Sequence, residues 1–518
     1  MSRIALVWLL VFPAIVTSQT PVSIRRAVNS ITAQDIRRRI GILADDSTRG
    51  RDTPSPELEK VANWIAAEFR RFGLKPGGTD GTYFQRYAIL RKQIDTTQTL
   101  LTVSRAGGGA VTLHAGRDLN VLQVGPPQPS RDVTGRVVLL ASGTDARSDP
   151  LPGADVRGAW VATLAKGRGP GPRFNVRAVQ AAIQAGAVGL IVISDRSDAE
   201  WDAWVAGGYP VMVALGEESG DDATSVPGFV AIRDQTAARA FGIDPVALRG
   251  VERRSPLRLD RITVTFHVQE HVVSATSAPN VIGILEGSDP KLRNEYVFFT
   301  AHMDHLGVAS PQNGACHARG ADSICNGADD DASGTAAVIE NAEAFAQLDP
   351  RPARSLVFMT VSGEEKGLWG SQYFTAHPTV PIRAVVADLN TDMVGRNWKD
   401  TIAVIGKEQS DLGTTLDRTA AEHPELQLTP IGDIWPDEHF YSRSDHYNFA
   451  RRGVPILFFF NGTHGDYHQV SDEVSRIDAE KESRIVRLVF YLGLKIATAP
   501  ERPRWDPASY KRVVEGAN

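Results

Sequence analysis

Residues 296–304 read YVFFTAHMD, an apolar run that ends in a histidine and an aspartate. Its aromatic and β-branched residues favour a buried strand. Three later runs share this texture: SLVFMTVSG (355–363), RAVVADLNTD (383–392) and PILFFFNG (455–462). Helical stretches such as TAAVIENAEAFAQL (335–348) separate them. Alternation of this kind predicts an α/β fold with a mostly parallel mixed sheet flanked by helices.

The chain has 518 residues, which is enough for two or three domains. Apolar residues recur at helical spacing in the region 26–75, which predicts two amphipathic helices joined by a loop. Between 98 and 270, short β-rich runs alternate with clusters of Gly, Pro and Asp, which indicates a separate β-rich domain. The expected division is a signal peptide (1–18), N-terminal helices (19–97), the β-rich domain (98–270), the α/β domain (271–500) and a C-terminal tail (501–518).

The N-terminus has the pattern of a secretory signal peptide. Arg3 precedes an apolar core from Ile4 to Val16, and small residues follow up to Ser18. The alternatives are a buried N-terminal helix and an uncleaved anchor. Beyond this segment no apolar run reaches the 18 or more residues of a membrane span. We therefore expect cleavage near Ser18 and a periplasmic or extracellular mature chain.

Charge and cysteine content narrow the class of protein further. The formal net charge is -5 and no run of Lys and Arg is present, which argues against nucleic-acid binding. The two cysteines, Cys316 and Cys325, predict one local disulfide in an exported protein. The alternative is a pair of zinc thiolates, which usually have the tighter C-x2-4-C spacing.

Polar side chains follow each apolar run of the α/β domain. In parallel sheets, ligands bind at the carboxyl ends of the strands, where these side chains would meet. The segment NGADDDASG (326–334) precedes the helix after the first strand and adds three adjacent aspartates. The polar residues at the strand ends are His302, Asp304, Glu364, Glu365, Asp392, His464, Asp466, Tyr467 and His468.

Imidazole and carboxylate without thiolate suit Zn²⁺, with Mn²⁺ or Co²⁺ as alternatives. Two metals about 3.5–4 Å apart need a bridging carboxylate and further ligands on each ion. The sequence supplies two histidines, a bridging aspartate, a further Asp and Glu, and one spare Glu. Of the adjacent Glu364 and Glu365, one can bind metal while the other takes a proton from water.

Each of these pieces has an ordinary structural explanation when taken alone. The three aspartates could cap the following helix and face the positive end of its dipole. The chain contains no G-x-S-x-G, no H-E-x-x-H and no C-x-x-C. The sequence motifs of other hydrolase classes are therefore absent.

Taken together, these segments resemble the dizinc exopeptidase family of secreted bacterial aminopeptidases, glutamate carboxypeptidase II and, with one metal, the glutaminyl cyclases. The fold implied is of the zinc-exopeptidase, phosphorylase/hydrolase-like type. Residues 26–87 resemble the N-terminal helices of that family, and residues 98–270 resemble an inserted protease-associated domain. The motifs that match are AHMDHLG, NGADDDASG, SGEEKGLWGS, DLNTDMVG, SDHYNFARRGVPILFFF and DYHQVSDEVSRID.

The resemblance implies a role for each matching residue. Asp330 would bridge the two ions, His302 would bind one, Glu365 would bind the other, and His468 would lie on that ion or its partner. The full set of metal ligands is His302, Asp330, Glu365, Asp392 and His468. Glu364 would be the general base and later the acid, and Tyr467 would stabilise the oxyanion unless it only packs beside the ligand loop.

The neighbouring residues receive supporting roles from the same resemblance. Asp304 would orient His302, since ligating histidines usually have such a partner. The Asp330–Asp331 peptide bond is expected to be cis, with Asp329 and Asp331 supporting the bend or the helix start. His446 and His464 are interpreted as residues of the pocket rim.

The function implied is that of a secreted zinc aminopeptidase that removes N-terminal residues from peptides or small proteins with metal-activated water. The alternatives are a carboxypeptidase or dipeptidase of the same family, and a catalytically silent, receptor-like binding ectodomain. Loss of Glu364 or of a ligand would favour the silent protein, and the sequence retains them all. No nucleic-acid partner and no stable membrane span of the mature chain are expected.

Overall fold

The structure, a computed structural model, describes residues 21–123, 130–140, 155–165, 181–206, 211–216, 228–251, 255–310, 313 and 315–516. The predicted signal peptide, residues 1–18, lies outside the described residues. The chain divides into two compact units, one made of Met1–Tyr87 with Ser277–Asn518 and the other of Ala88–Thr276. Within the described residues, no helix combines the length and apolar character that crossing a membrane requires.

Both units contain helices and strands. In chain order, the α-helices of the described residues are α1 (Pro21–Ser30), α2 (Ala33–Leu43), α3 (Pro56–Arg71), α4 (Asp198–Ala206), α5 (Asp234–Phe241), α6 (Pro245–Arg249), α7 (Gly334–Ala346), α8 (Trp369–Ala376), α9 (Leu412–Glu422), α10 (His446–Arg451), α11 (Ala479–Thr498) and α12 (Pro507–Tyr510). The strands are β1 (Lys75–Pro76), β2 (Phe84–Ile94), β3 (Leu100–Arg105), β4 (Ala110–His114), β5 (Leu119–Gln123), β6 (Ser130–Leu139), β7 (Ala159–Leu164), β8 (Gly189–Ser194), β9 (Met212–Leu215), β10 (Gly228–Arg233), β11 (Leu257–Leu285), β12 (Tyr296–His302), β13 (Gly307–Val308), β14 (Ile324–Cys325), β15 (Ser355–Val361), β16 (Val385–Thr391), β17 (Thr401–Ile405), β18 (Thr429–Ile431) and β19 (Ile456–Phe459).

The first unit is built on a mixed sheet with a parallel centre. Strands β15, β12, β16 and β19 lie side by side in that order and run parallel. The end of β11 pairs antiparallel with β15 on one side, and β17 pairs antiparallel with β19 on the other. This arrangement confirms the predicted fold class. It also places the carboxyl ends of all four predicted strands at one edge.

The central strands are apolar along their whole length because both faces are covered by helices. Phe298 of β12 packs on one face against Phe374 of α8 and Phe449 of α10, with ring centroids 5.5 Å apart in each pair. Phe299 points to the opposite face and packs against Phe345 of α7 at 5.3 Å. At Gly493 of α11, an added Cβ would lie only 2.3 Å from the Phe299 ring. The helix can therefore approach the sheet closely at that point.

The N-terminal region contains three helices where the sequence predicted two. The additional boundary falls at Thr32, whose hydroxyl accepts a hydrogen bond from Asp35 N at 3.0 Å and thereby caps α2. In α3, the predicted apolar stripe is buried at Leu58, Ile65 and Phe69. The prediction missed the first helix as a separate element because a single capping threonine interrupts the apolar pattern.

The second unit is a β-rich body with its own core. Strands β6, β7, β8 and β10 run parallel, and β3 and β6 pair antiparallel with the first part of β11. Trp160 and Phe266 meet edge to face in its centre, with centroids 5.8 Å apart. The unit has a hydrophobic core formed by its own residues, as an independent domain does.

Candidate metal centre

The predicted polar residues do meet at the carboxyl edge of the sheet. His302 is the last residue of β12, and Asp392 directly follows β16. After β15 the chain bends at Gly363, which has φ 73° and where an added Cβ would lie 2.6 Å from the Tyr87 hydroxyl. A glycine at this bend lets Glu364 and Glu365 leave the strand towards the same edge.

Asp330 lies in the irregular turn Ala328–Ser333 that leads into α7. Its peptide bond to Asp331 is cis, as expected. The carboxylate of Asp472 holds this turn by accepting hydrogen bonds from Asp329 N at 3.0 Å and Asp330 N at 3.1 Å. Arg51 holds it from the other side, as its guanidinium donates to the carbonyls of Asn326 and Gly327.

One group of potential ligands lies on the Oδ1 side of Asp330. His302 Nε2 is 3.3 Å from Asp330 Oδ1 and 3.7 Å from Asp392 Oδ1. These three residues are all buried and could hold one metal ion. The His302 Nδ1–H donates to the Asp304 carbonyl oxygen at 3.2 Å, which orients the ring.

A second group lies on the Oδ2 side of the same carboxylate. His468 Nε2 is 3.2 Å from Asp330 Oδ2 and 3.4 Å from Glu365 Oε2. His305 enters this group although the sequence analysis gave it no role. Its Nδ1 is 2.7 Å from Glu365 Oε1 and 3.7 Å from Asp330 Oδ2. Asp330 thus presents one oxygen to each group, as a bridging carboxylate must.

The carboxylates that flank Asp330 are used within the turn. Asp331 accepts hydrogen bonds from Gly334 N at 2.8 Å, at the start of α7, and from Met393 N at 3.2 Å. Asp329 accepts one from Gly395 N at 2.7 Å. Both therefore support the bend and the helix start, as expected.

Asp304 orients His302, as expected, through its main-chain carbonyl, while its carboxylate has another partner. That carboxylate lies 3.7 Å from His302 Nδ1 and instead accepts a hydrogen bond from the Thr53 hydroxyl at 2.9 Å. The chain turns after β12 so that the main-chain carbonyl of Asp304 faces the ring.

The donor atoms fit a pair of divalent cations. Among the described residues, His305 Nδ1, Asp330 Oδ2 and Glu365 Oε1 are buried without a hydrogen-bond partner. Buried polar atoms are normally paired, and like charges packed this closely repel. A cation on each side of Asp330 would supply the missing partner and offset the charge of the neighbouring carboxylates.

The two adjacent glutamates have opposite electrostatic environments. Burial raises the pKa of the Glu364 carboxyl well above its usual range, with opposition from His302 and reinforcement from Glu365. Burial and the neighbouring charge of Asp330 act to raise the pKa of Glu365, but the close imidazoles of His305 and His468 outweigh them and lower the pKa to about 2. Glu365 is therefore ionised beside the imidazoles, while Glu364 retains affinity for a proton.

A pocket opens beside both groups. Its polar side is formed by His302, Asp330, Glu364, Asp392 and His468, and its apolar side by Met393, Phe440, Phe458 and Phe460. Arg443, Ser444, Thr463 and Tyr467 complete the lining. Glu364 belongs to neither ligand group, so its carboxylate faces the pocket as a free acid–base group.

His446 and His464 were expected at the pocket rim, and neither is among the described residues that line the pocket. The prediction is wrong for His446, whose ring is fully buried and stacks on Phe458 at 4.3 Å. Its Nε2–H donates to the Tyr441 carbonyl at 2.8 Å. His464 instead supports the turn through a contact of 3.1 Å between its Nε2 and Asp329 Oδ2.

The buried ring of His446 predicts a loss of stability in acid. Burial lowers its pKa from 6.5 to about 3, against the opposing hydrogen bond to Tyr441. The unfolded chain binds this proton below pH 6.5 and the folded chain does not until about pH 3. The contribution is therefore complete above pH 6.5 and falls by up to about 1.4 kcal/mol per pH unit as the pH drops.

This effect can be measured by urea unfolding between pH 7 and 4.5 with chelator present, so that metal release does not contribute. The wild type should lose unfolding free energy more steeply towards acid than His446→Gln, in which the group cannot titrate. Parallel curves for the two proteins would show that His446 is protonated equally in both states.

A comparison with protein families finds a match within the first unit. Residues 280–493 match the sequence profile of peptidase family M28. This M28 region contains every predicted metal ligand and Glu364, and it ends within α11.

Proteins with sequences similar to this chain are named as peptidases. A probable leucine aminopeptidase of Trichophyton verrucosum (strain HKI 0517) is 28% identical over 236 residues, covering 43% of this chain and 58% of that protein. A probable zinc metalloprotease of Pyricularia oryzae (strain 70-15) is 38% identical over 307 residues, covering 50% of this chain and 58% of that protein. The chain thus spans less than two thirds of the length of these relatives.

Among solved structures, an aminopeptidase from Aneurinibacillus sp. strain AM-1 is similar over 93% of this chain and 98% of its own. The TM-score is 0.50 and the sequence identity is 20%, so this likeness shows the fold. It agrees with the mixed α/β architecture described above.

Three residues of the site were missed by the sequence analysis. His305 lies three positions after His302 within AHMDHLG. The sequence shows a histidine there, but it does not show which way the side chain points. Arg51 is separated from the M28 region by more than two hundred residues of chain and resembles an ordinary loop arginine in the sequence. Asp472 lies in the quoted segment DYHQVSDE, where a carboxylate that binds backbone amides has no distinguishing pattern.

Proposed function

We propose that this protein is an exported dizinc metallo-aminopeptidase that hydrolyses N-terminal residues from peptides. The observation that carries the proposal is the position of Asp330, with Oδ1 towards His302 and Oδ2 towards His468. The match of residues 280–493 to a peptidase family and the names of the relatives support it.

Zinc is the metal that this donor set favours. Imidazole and carboxylate donors suit Zn²⁺, and Mn²⁺ or Co²⁺ are alternatives. His302 and Asp392 would hold one ion, Glu365 and His468 the other, and Asp330 would bridge them. When bound, the two ions polarise the scissile carbonyl and lower the pKa of the attacking water.

The chain's own residues would handle the protons. Glu364 would accept a proton from the water that attacks the carbonyl, and would then deliver it to the amine as the peptide bond breaks. Burial raises the pKa of Tyr467, so its hydroxyl keeps its proton at neutral pH. From the pocket wall, that hydroxyl would donate a hydrogen bond to the oxyanion.

The pocket predicts a preference for apolar N-terminal residues. Met393, Phe440, Phe458 and Phe460 offer an apolar surface beside the reactive groups. A charged side chain placed there would be desolvated without a partner. Turnover of leucyl and phenylalanyl anilides should exceed that of the aspartyl anilide by at least about tenfold in kcat/KM. Equal kcat/KM values across this panel would show that the apolar wall does not contact the substrate side chain.

The function itself is tested by metal analysis followed by a substrate comparison. The purified protein should contain two zinc ions per chain and hydrolyse aminoacyl anilides, while N-acetylated versions of the same compounds remain intact. Removal of zinc by chelation should abolish hydrolysis, and added zinc should restore it. Cleavage confined to the N-blocked compounds would refute the aminopeptidase assignment.

A carboxypeptidase or dipeptidase is the second candidate, and Arg443 is the observation that favours it. Its guanidinium lies 4.7 Å above the Phe440 ring at the pocket and is about half exposed. A guanidinium is well suited to bind a substrate carboxylate. If it does so, Arg443→Met should raise KM for a dipeptide by about tenfold or more and leave the anilide unchanged. The same change in KM for both substrates would count against carboxylate binding.

Export and the role of the second unit are part of the proposal. The N-terminal pattern and the disulfide between Cys316 and Cys325, which confirms the predicted pairing, are consistent with an oxidising compartment. In a bacterial host, recovery of chains that begin near residue 19 outside the cytoplasm would support export, whereas uncleaved cytoplasmic chains would refute it.

We further propose that the unit Ala88–Thr276 is the protease-associated-like domain predicted at 98–270. It is β-rich, and the two segments that flank it in the chain both belong to the other unit. Limited proteolysis should release an intact fragment with ends near these boundaries. Cleavage scattered through its interior would contradict an independent domain.

A further inference from the structure

His305 is the most unusual buried residue of the site. Its ring is completely buried, and both of its nitrogens lack a hydrogen-bond partner among the described residues. Most buried imidazoles donate or accept at least one hydrogen bond. A ring buried in this way beside carboxylates has the environment of a metal ligand whose ion would complete it.

The atoms that face His305 are themselves without hydrogen bonds. Its Nδ1 lies 2.7 Å from Glu365 Oε1 and 3.7 Å from Asp330 Oδ2, and both oxygens lack a hydrogen-bond partner in the described part of the chain. The short distance to Glu365 therefore does not have the orientation of a hydrogen bond. One donor atom from each of these three residues lies within 4.8 Å of the others, which suits a shared cation.

The surrounding backbone makes room for this ring. Gly327 has φ 58°, and an added Cβ there would lie 2.5 Å from the His305 ring. Any larger residue would displace the imidazole. Arg51 donates to the Gly327 carbonyl at 2.7 Å, and the Arg51 carbonyl accepts from His305 N at 3.4 Å. The same arginine thus links the loop that carries His305 to the loop that makes space for it.

We infer that His305 is a fourth protein ligand of the cation held by Asp330, Glu365 and His468. The inference rests on the proposed dizinc site and makes its two positions unequal. The position beside Glu365 has two imidazoles and two carboxylates, whereas the position beside Asp392 has one imidazole and two carboxylates. A fourth protein ligand would hold the ion beside Glu365 more tightly than the ion with three, and zinc can still take a fifth donor such as the attacking water.

The His305 and His468 rings both approach the shared carboxylates of Asp330 and Glu365. The His305 and His468 ring centroids are 5.9 Å apart with planes at 69°. His305 Nδ1 lies 3.7 Å and His468 Nε2 3.2 Å from the same oxygen, Asp330 Oδ2. This arrangement predicts three imidazoles for two zinc ions in the whole protein. If His305 is not a ligand, the protein supplies two imidazole ligands for the two zinc ions.

X-ray absorption spectroscopy of the zinc-loaded full chain measures this number directly. The wild type should give three imidazoles for two zinc ions, and His305→Ala should lower the contribution of imidazole scattering by a third. Stepwise chelation should show two classes of zinc in the wild type, with the tighter class weakened at least tenfold in His305→Ala. His446→Gln is the matched control, since it removes another fully buried imidazole and should leave both measurements unchanged.

Two imidazoles for two ions in the wild type would overturn the inference, whether or not His305→Ala folds. So would a folded His305→Ala protein with unchanged scattering and unchanged zinc affinity. The readout is separate from peptidase activity. A protein that cleaves no aminoacyl anilide but shows three imidazoles refutes the proposed function and leaves the ligand assignment standing.

Discussion

Replacement of Glu364 by glutamine is expected to lower kcat for leucyl anilide by about 10²–10⁴-fold while both zinc ions remain bound. The amide has nearly the same shape as the carboxylate but cannot take a proton from water. Glu364 lines the pocket and belongs to neither group of potential ligands, so its loss should not release metal. The measurement is kcat beside zinc content on the same protein sample.

The adjacent residue provides the matched control. Glu365→Gln changes the same side chain one position along, in a residue whose oxygens face His305 and His468. It should lower zinc content or zinc affinity as well as activity. Undiminished turnover in Glu364→Gln, or metal loss in that variant alone, would show that the two roles have been assigned wrongly.

Replacement of Arg51 by methionine is expected to reduce the free energy of unfolding by about 3–5 kcal/mol and to weaken zinc binding. The guanidinium is fully buried and donates to Met303 O at 2.9 Å and Gly327 O at 2.7 Å, as well as to Asn326 O. Its removal leaves buried carbonyls unpaired, at about 1–3 kcal/mol each. These carbonyls lie in the loops on both sides of the metal centre.

Urea unfolding with and without chelator measures the two effects separately. Arg49→Met is the matched control, since Arg49 lies in the same segment, also has a positive φ, and is exposed. It should stay within about 0.5 kcal/mol of the wild type. Wild-type stability in Arg51→Met would mean that other groups hold the loops in place.

Sequence reasoning located the site because regular structure brings the strand ends together. His302 and Asp392 end or follow apolar runs whose parallel alignment places them at one edge, so the pattern of the runs predicts their proximity. Assignment of Asp330 as the middle aspartate came from family resemblance. The strand pattern alone left NGADDDASG equally open to interpretation as a helix cap.

The side-chain directions that the sequence does not predict depend on irregular backbone. His305 and Asp304 follow β12 in a segment without a repeating pattern, so the sequence does not tell which way either side chain points. Their directions are set by contacts distant in the chain, such as Arg51 at Met303 O and Thr53 at the Asp304 carboxylate. The sequence does not distinguish a buried arginine in a loop from an exposed one, because burial is decided by tertiary packing.

Anomalous diffraction at the zinc edge from crystals of the zinc-loaded protein tests most directly whether Asp330 bridges two cations. We predict two zinc peaks about 3.5–4 Å apart, one against each oxygen of the Asp330 carboxylate. A single peak, or two peaks that do not share Asp330, would contradict the dizinc centre and the function proposed from it.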